Sequence, residues 1–332
     1  MEPNLKSHEY QVDRRTLLRH GGSLLGGLAT IILALHGASF LGVFPQPRPT
    51  PDVDAAILVH QADSSRKASG AKLLLVGDSS CLMDVDAAQL GEHLKTKCLN
   101  LGTLSFLDLS AASRLVNNYS EANPGKPKWV VLLIHPEALR QAMSDPDAHA
   151  FLETYLRGEL LPTMQTLSGR LQSISGLSSL KARVLDRWIS TPLSGDFGHR
   201  YGFTSQMERY MDTHDGSLVD PRTMALKGNS EYQMAARWEG TSRAFRGRLP
   251  EGIQILVGIT PIPESFAPTN HTARQREMLG TWAGWLEAEG ILTNLPAIMS
   301  DGLFASITHL NEEGIEAYTR QLAEALERVR EE

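Results

Sequence analysis

The 332-residue chain has little that would support redox, metal or nucleic-acid chemistry. It has only two cysteines, Cys81 and Cys98, and they form no metal-ligand or redox motif. Two buried thiols are the expected state, with a disulfide between them as the alternative. No basic block lies downstream of the N-terminus and the net charge is −6, which argues against nucleic acid as a partner. No glycine-rich phosphate loop follows the first strand, so a phosphate- or nucleotide-binding protein is the weakest of three readings. No repeat is visible, and no motif calls for a metal or a cofactor. Charge is also missing locally: from Gly21 to Phe44 there are 24 residues without Asp, Glu, Lys or Arg.

That uncharged run is long enough to cross a bilayer as a helix, which takes about 20 residues. It is longer than the apolar core of most secretory signals, roughly 7–15 residues. Arg14, Arg15 and Arg19 precede it. Positive residues stay on the cytoplasmic side, which predicts that the remainder lies outside. Asp13-Arg14-Arg15-Thr16-Leu17-Leu18-Arg19 is also similar to a twin-arginine export signal. A retained anchor is favoured over a cleaved signal, because no clear small-x-small cleavage site ends the run. Pro45, Pro47, Pro49 and Pro51 follow and predict a stiff, extended spacer. The expected division is a cytoplasmic segment 1–20, a transmembrane anchor or signal 21–44, a proline-rich linker 45–71 and a domain over 72–330.

Strand and helix patterns alternate from Lys72 onward. Unbroken apolar runs at Lys72–Val76, Trp129–Ile134 and Ile253–Ile259 fit strands buried on both faces of a parallel sheet. Weaker strands are expected at Lys97–Leu101 and near Ile291–Leu295. Helical patterns occupy Asp86–Lys95, Leu109–Tyr119, Arg274–Glu289 (closed by Gly290) and Glu312–Arg330, the last with Ile315, Tyr318, Leu322 and Leu326 on one face. The alternation predicts an α/β fold: a parallel sheet covered by helices on both sides, in three α/β/α layers. The interval from Ile134 to Ile253 is too long for one crossover helix. It reads as an insertion over about 145–248, a cap beside the active edge, with helices near Ala148–Leu161 and Tyr232–Phe245. Inside it, His199, Arg200, Tyr201, His214 and Asp215 read as solvated loop residues. Trp282 and Trp285 read as packing residues.

Two short segments carry the chemistry. Gly77-Asp78-Ser79 ends the first strand, at the sheet edge where open α/β folds place their ligands. His309-Leu310-Asn311 stands directly before the last helix. A serine hydroxyl is a weak nucleophile until a base takes its proton, and a neutral imidazole near pH 7 can take it. Ser79 and His309 are therefore the candidate nucleophile–base pair.

With Asn100-Leu101-Gly102 between them, these blocks resemble the SGNH (GDSL-type) hydrolase superfamily over residues 72–140 and 253–326. The resemblance implies a flavodoxin-like sheet, Ser79 as nucleophile, His309 as base and the Gly102 amide in an oxyanion hole beside that of Ser79. The family's acid three residues before the histidine is replaced by Ser306. That leaves Asp301 reaching His309 through a rearranged loop, a Ser–His dyad, or Ser306 as a weak orienter. Where the family carries an asparagine donor the chain has Ile134-His135-Pro136-Glu137, making His135 the substitute candidate.

The anchor joined to such a domain is similar to membrane proteins that add or remove acyl groups on bacterial surface polysaccharides. It implies a periplasmic serine esterase or O-acyltransferase working through an acyl-Ser79 intermediate. The implied partners are an acylated carbohydrate or small ester, the membrane and a membrane acyltransferase. A degenerate, non-catalytic relative that binds glycan or acts as a scaffold is the alternative.

Overall fold

The computed structural model describes residues 13–43, 53–105, 107–140, 144–160, 167, 170–171, 206–218 and 234–331. The chain divides into two units, Met1–Pro47 with Leu161–Ile189, and Arg48–Leu160 with Ser190–Glu332.

The first unit contains helix α1, Arg14–Phe40. Asp13 caps it by accepting the Arg15 N–H. Its stretch Leu18–Phe40 is long and apolar enough for a membrane anchor or a signal sequence. Leu24, Leu25, Ile31 and Leu33 are uncovered. Three polar side chains bond back onto their own helix. Ser23 donates to the Arg19 carbonyl, Thr30 to that of Gly26, and His36 Nδ1 to that of Ile32. Polar groups satisfied within the helix suit a hydrocarbon environment, where no water is present to satisfy them.

The second unit opens with α2, Val53–Ser65, where the sequence suggested a spacer. Ten of its 13 residues are buried, among them Ala55, Ala56, Ile57, Leu58, Val59 and Ala62. A helix buried almost all round shows no amphipathic stripe, and the prolines before it drew the linker boundary too far. Residues 44–52, which hold the prolines, lie outside the described residues.

Strands β1 (Leu73–Gly77), β2 (Cys98–Asn100), β3 (Trp129–Ile134), β4 (Gln254–Ile259) and β6 (Gly290–Ile291) form one sheet in the order β2-β1-β3-β4-β6. Every neighbouring pair in it is parallel. A separate parallel pair joins β5 (Ile262–Pro263) to β7 (Ile298–Met299). The central strands are continuously apolar because both faces are covered. Leu74, Val76, Val130, Leu132, Ile255 and Val257 join one apolar cluster. In it stand α2, α5 (Leu109–Ala122), α9 (Arg237–Arg248) and α10 (His271–Leu286). Their alternate neighbours Leu73, Leu75, Val131, Leu133 and Leu256 join a second cluster. That one holds Leu90 and Leu94 of α4 (Ala87–Leu94) and Ile315, Tyr318, Leu322 and Leu326 of α11 (Glu312–Glu331). Each such leucine adds about 1.5–3 kcal/mol when fully buried.

The interval between β3 and β4 is not wholly an insertion. It begins with α6 (Pro136–Arg140) and α7 (Pro146–Leu156) and includes α8 (Gln206–Thr213). Trp238 and Phe245 of α9 are buried, and α9 packs on α5 and α10. Trp238 and Phe245 belong to the apolar cluster that lines one face of the sheet, a role that the helix's Gly- and Arg-containing sequence hid. Trp282 is also core: its Nε1–H donates to Ser242 Oγ at 3.0 Å, and its ring meets Trp238 edge-on. Asp215 stands half-buried in the turn after α8, and its carbonyl accepts the Asn100 N–H at 2.7 Å. His214 stacks on Tyr210 at 3.8 Å. His199, Arg200 and Tyr201 lie outside the described residues. α10 is closed by Glu287 in the left-handed conformation (φ 48°) rather than by Gly290, which opens β6. Both cysteines are buried, and among the described residues neither forms a disulfide.

The register pairs Gly77 with Leu133 and Leu133 with Gly258. Ser79, His135 and Thr260, each two residues further along, therefore emerge on one rim. Gly77 allows the turn there, because a Cβ would lie 1.8 Å from the Leu133 carbonyl oxygen. Replacement Gly77→Ala is expected to destabilise the fold by about 3 kcal/mol, the upper end of the overpacking range. Urea unfolding of the detergent-solubilised chain reads this directly. An unfolding midpoint matching the parent's would contradict the close strand contact.

Candidate active site

Ser79 is the first residue of α3, Ser79–Met83, a single helical turn attached to β1. Asp78 caps it. One carboxylate oxygen accepts the Ser80 N–H (3.0 Å), the Ser80 hydroxyl (2.6 Å) and the Cys81 N–H (3.4 Å). The other accepts the His135 N–H at 3.0 Å. The Thr260 hydroxyl donates to Ser80 Oγ at 2.9 Å. One chain of hydrogen bonds thus links the ends of β1, β3 and β4. Burial pushes the Asp78 carboxyl above its ordinary range, while the hydrogen bonds from Ser80, His135 and Cys81 pull the other way. Its role is to hold the rim, and the Ser79 N–H stays outside the set that it satisfies.

His309 arrives from the far end of the chain. Residues 303–311 double back as a hairpin in which Phe304 bridges Leu310. The Ala305 and Ser306 N–H groups donate to the His309 carbonyl at 2.9 and 3.1 Å. Gly314 admits the close return, since a Cβ there would sit 2.1 Å from the Leu303 carbonyl oxygen. Asn311 Oδ1 accepts the Gly314 N–H at 2.9 Å and caps α11. The outcome is that His309 Nε2 lies 3.0 Å from Ser79 Oγ, across 230 positions of sequence. With the ring proton on Nδ1, the Ser79 hydroxyl donates to Nε2, the geometry general-base catalysis requires. His309 is 5% exposed and Ser79 is half-buried, so the histidine is the more shielded member of the pair.

The other expected members are placed differently. Asp301 begins a short 3-10 turn, and its carboxylate accepts the Ser265 N–H at 2.9 Å. Among the described residues it forms no ion pair with His309. Ser306 Oγ accepts the N–H of His309 (3.1 Å) and of Thr308 (3.4 Å); it fixes the histidine's backbone rather than its ring. The Gly102 N–H is engaged by Asn100 Oδ1 at 2.8 Å. This is an Asx-type turn, in which the asparagine bonds the backbone two residues on. Asn100 Nδ2 in turn donates to the Cys81 carbonyl (2.8 Å) and Ser217 Oγ (3.2 Å). The block therefore braces β2 against α3, and the Gly102 amide is not turned toward a substrate.

His135 stands on the rim beside the pair. It is 2% exposed, and its Nδ1 accepts the Glu137 N–H at 3.1 Å. A neutral His135 ring consequently carries its proton on Nε2. Burial first, then the neighbouring His309 and His271 imidazoles, lowers its pKa from 6.5 to about 3. It is an uncharged donor throughout the physiological range. Sequence reasoning missed Asp84, Thr260 and the bracing role of Asn100, because each acts through contacts that no local spacing announces.

The His135 shift has a stability consequence. Below pH 6.5 an unfolded chain protonates His135, whereas the folded chain does so only below about 3. The unfolded state binds more protons in that window, so folding stability falls as pH drops from about 6.5 to about 3. The slope reaches up to about 1.4 kcal/mol per pH unit. The raised Asp78 carboxyl acts in the opposite sense, its contribution falling as pH rises. His135→Asn isolates the histidine: urea unfolding across pH should show a shallower acid loss than the parent, and identical slopes would refute the shift. Comparison with known protein families, with curated proteins and with solved structures yields no match, so the functional reading stands on the geometry.

Proposed function

We propose that the chain is a serine esterase or O-acyltransferase of the SGNH type, acting on an ester of the acylated-glycan kind. The observation that carries this is the 3.0 Å approach of Ser79 Oγ to His309 Nε2. In the first step Ser79 Oγ forms a bond to the ester carbonyl carbon as His309 Nε2 takes the hydroxyl proton. The carbonyl oxygen gains the electron pair and accepts hydrogen bonds from the Ser79 amide and from His135 Nε2–H. Collapse expels the alkoxide, which leaves with the proton from His309 and yields acyl-Ser79. Water as the second acceptor gives an esterase, and a sugar hydroxyl gives a transferase.

The sheet order supports the finer fold reading. With β5 outside the sheet, β2-β1-β3-β4-β6 matches the 2-1-3-4-5 order of flavodoxin-like proteins, and the two apolar clusters fit three α/β/α layers. The non-catalytic alternative draws on Asp301, whose carboxylate bonds Ser265 rather than His309. A dyad without that acid retains its base, and the buried ring with its 3.0 Å contact favours the enzyme.

A fluorophosphonate probe decides between the two. The wild-type chain should be labelled, Ser79→Ala should take no label, and His309→Ala should react about 10²–10⁴-fold more slowly. A wild type that resists the probe would support the scaffold.

The proposed location is the outer face of the membrane, with α1 as a retained anchor and Arg14, Arg15 and Arg19 inside. The full chain should then remain with membranes after alkaline carbonate washing, and protease added to spheroplasts should digest the domain. Protection from that protease would reverse the orientation.

A further inference from the structure

A carboxylate outside every recognised block ties the hairpin of His309 to the turn that carries Ser79. Asp84 is the C-cap of α3, the turn that begins with Ser79. It is fully buried, and its Oδ1 accepts the Leu310 N–H at 2.8 Å. Leu310 is the residue after His309 and is itself fully buried. The neighbouring amides of the hairpin, at Leu303, Phe304, Ala305, Ser306 and Asn311, donate to carbonyls between Ser300 and His309. They shape the hairpin but do not attach it to the nucleophile. The Leu310 amide reaches out of it, onto the same short turn that carries Ser79.

We propose that Asp84 is a positioning residue of the site, setting the imidazole through the backbone of the hairpin. This rests on the Ser79–His309 pair being catalytic. Two successive amides are then held by side chains: that of His309 by Ser306 and that of Leu310 by Asp84. With both fixed, the peptide that carries the imidazole has little freedom to swing away from Ser79. Burying a carboxylate is costly unless its bonds compensate, and charge-assisted bonds to N–H groups are among the stronger ones. Because α3 contributes both Ser79 and Asp84, nucleophile and base are referred to one rigid turn. A displacement of about 1 Å at such a pair can cost roughly 100-fold in rate.

The test uses the full-length chain in detergent, with p-nitrophenyl acetate for steady-state kinetics and a fluorophosphonate for single-turnover labelling. Asp84→Ala should lower kcat and the labelling rate by about 100-fold, with KM within about threefold, because substrate contacts are untouched. Asp84→Asn keeps an oxygen that accepts the Leu310 N–H and should stay within about fivefold of the parent. An Asp84→Ala chain as fast as the parent would overturn the assignment. So would a folded Asp84→Asn chain as slow as the alanine variant. Should Asp84→Ala fail to fold, Asp84→Asn decides alone: near-parental rates support the tether, and a loss of about 30-fold or more overturns it. A wild type that takes no label brings down the enzymatic reading and this assignment with it; a labelled wild type with an indifferent Asp84→Ala brings down this assignment only.

Discussion

Everything at the rim depends on one buried carboxylate. Asp78 accepts from two amides and a hydroxyl of α3 and from the first residue past β3. Thr260 joins through Ser80. Three parallel strands whose register could drift are thereby pinned at the same end. Leaving such a group unpaired in the interior would cost several kcal/mol, so the network is satisfied as a whole or not at all. The Ser79 hydroxyl is held by this frame, the preorganisation that the proposed catalysis would require.

The other half of the site is fixed by a different device. The hairpin over 303–311 closes on itself and is fastened to α3 by Asp84. The Thr319 hydroxyl accepts the Asp86 N–H at 3.1 Å, so α11 is held to the segment just beyond α3 as well. Opening and closing segments of the domain are thus linked at several points within a few residues of the Ser79–His309 pair. His135 adds a ring that stays neutral because burial and two neighbouring imidazoles disfavour its charge. Neutrality matters here, since a second cation beside His309 would make it harder for His309 to accept a proton.

Much of the fold was legible because the signals were strong and local. Trp129–Ile134 is an unbroken apolar run, and it is β3 with those bounds. Asp86 and Asp108 cap α4 and α5 where the apolar periodicity begins. The approach of Ser79 to His309 was also readable, since a serine at the end of the first strand and a histidine just before the last helix meet at 3.0 Å. Other features were not. α2 is buried on nearly every side and so carries no period, while the prolines before it suggested an extended spacer. α9 was expected as a helix near Tyr232–Phe245, but it was read as part of a cap, whereas its Trp238 and Phe245 are buried in the core. Gly102 looked like an oxyanion donor because only the residue type is visible in sequence. Where its N–H points was set by Asn100, two positions earlier. Asp301 was chosen for its charge, but the fold used that charge to cap Ser265.

The distance in sequence between Ser79 and His309 has a consequence for biogenesis. Ser79 lies on the first strand of the sheet, and its partner ring lies 230 positions later, just before the final helix. Loops closed over such spans form late relative to local contacts. A nascent or truncated chain therefore carries Ser79 without the ring that faces it. Under the proposed mechanism, reactivity would arrive only with the last helix, so the hydroxyl would stay inert toward esters until synthesis of the chain is complete.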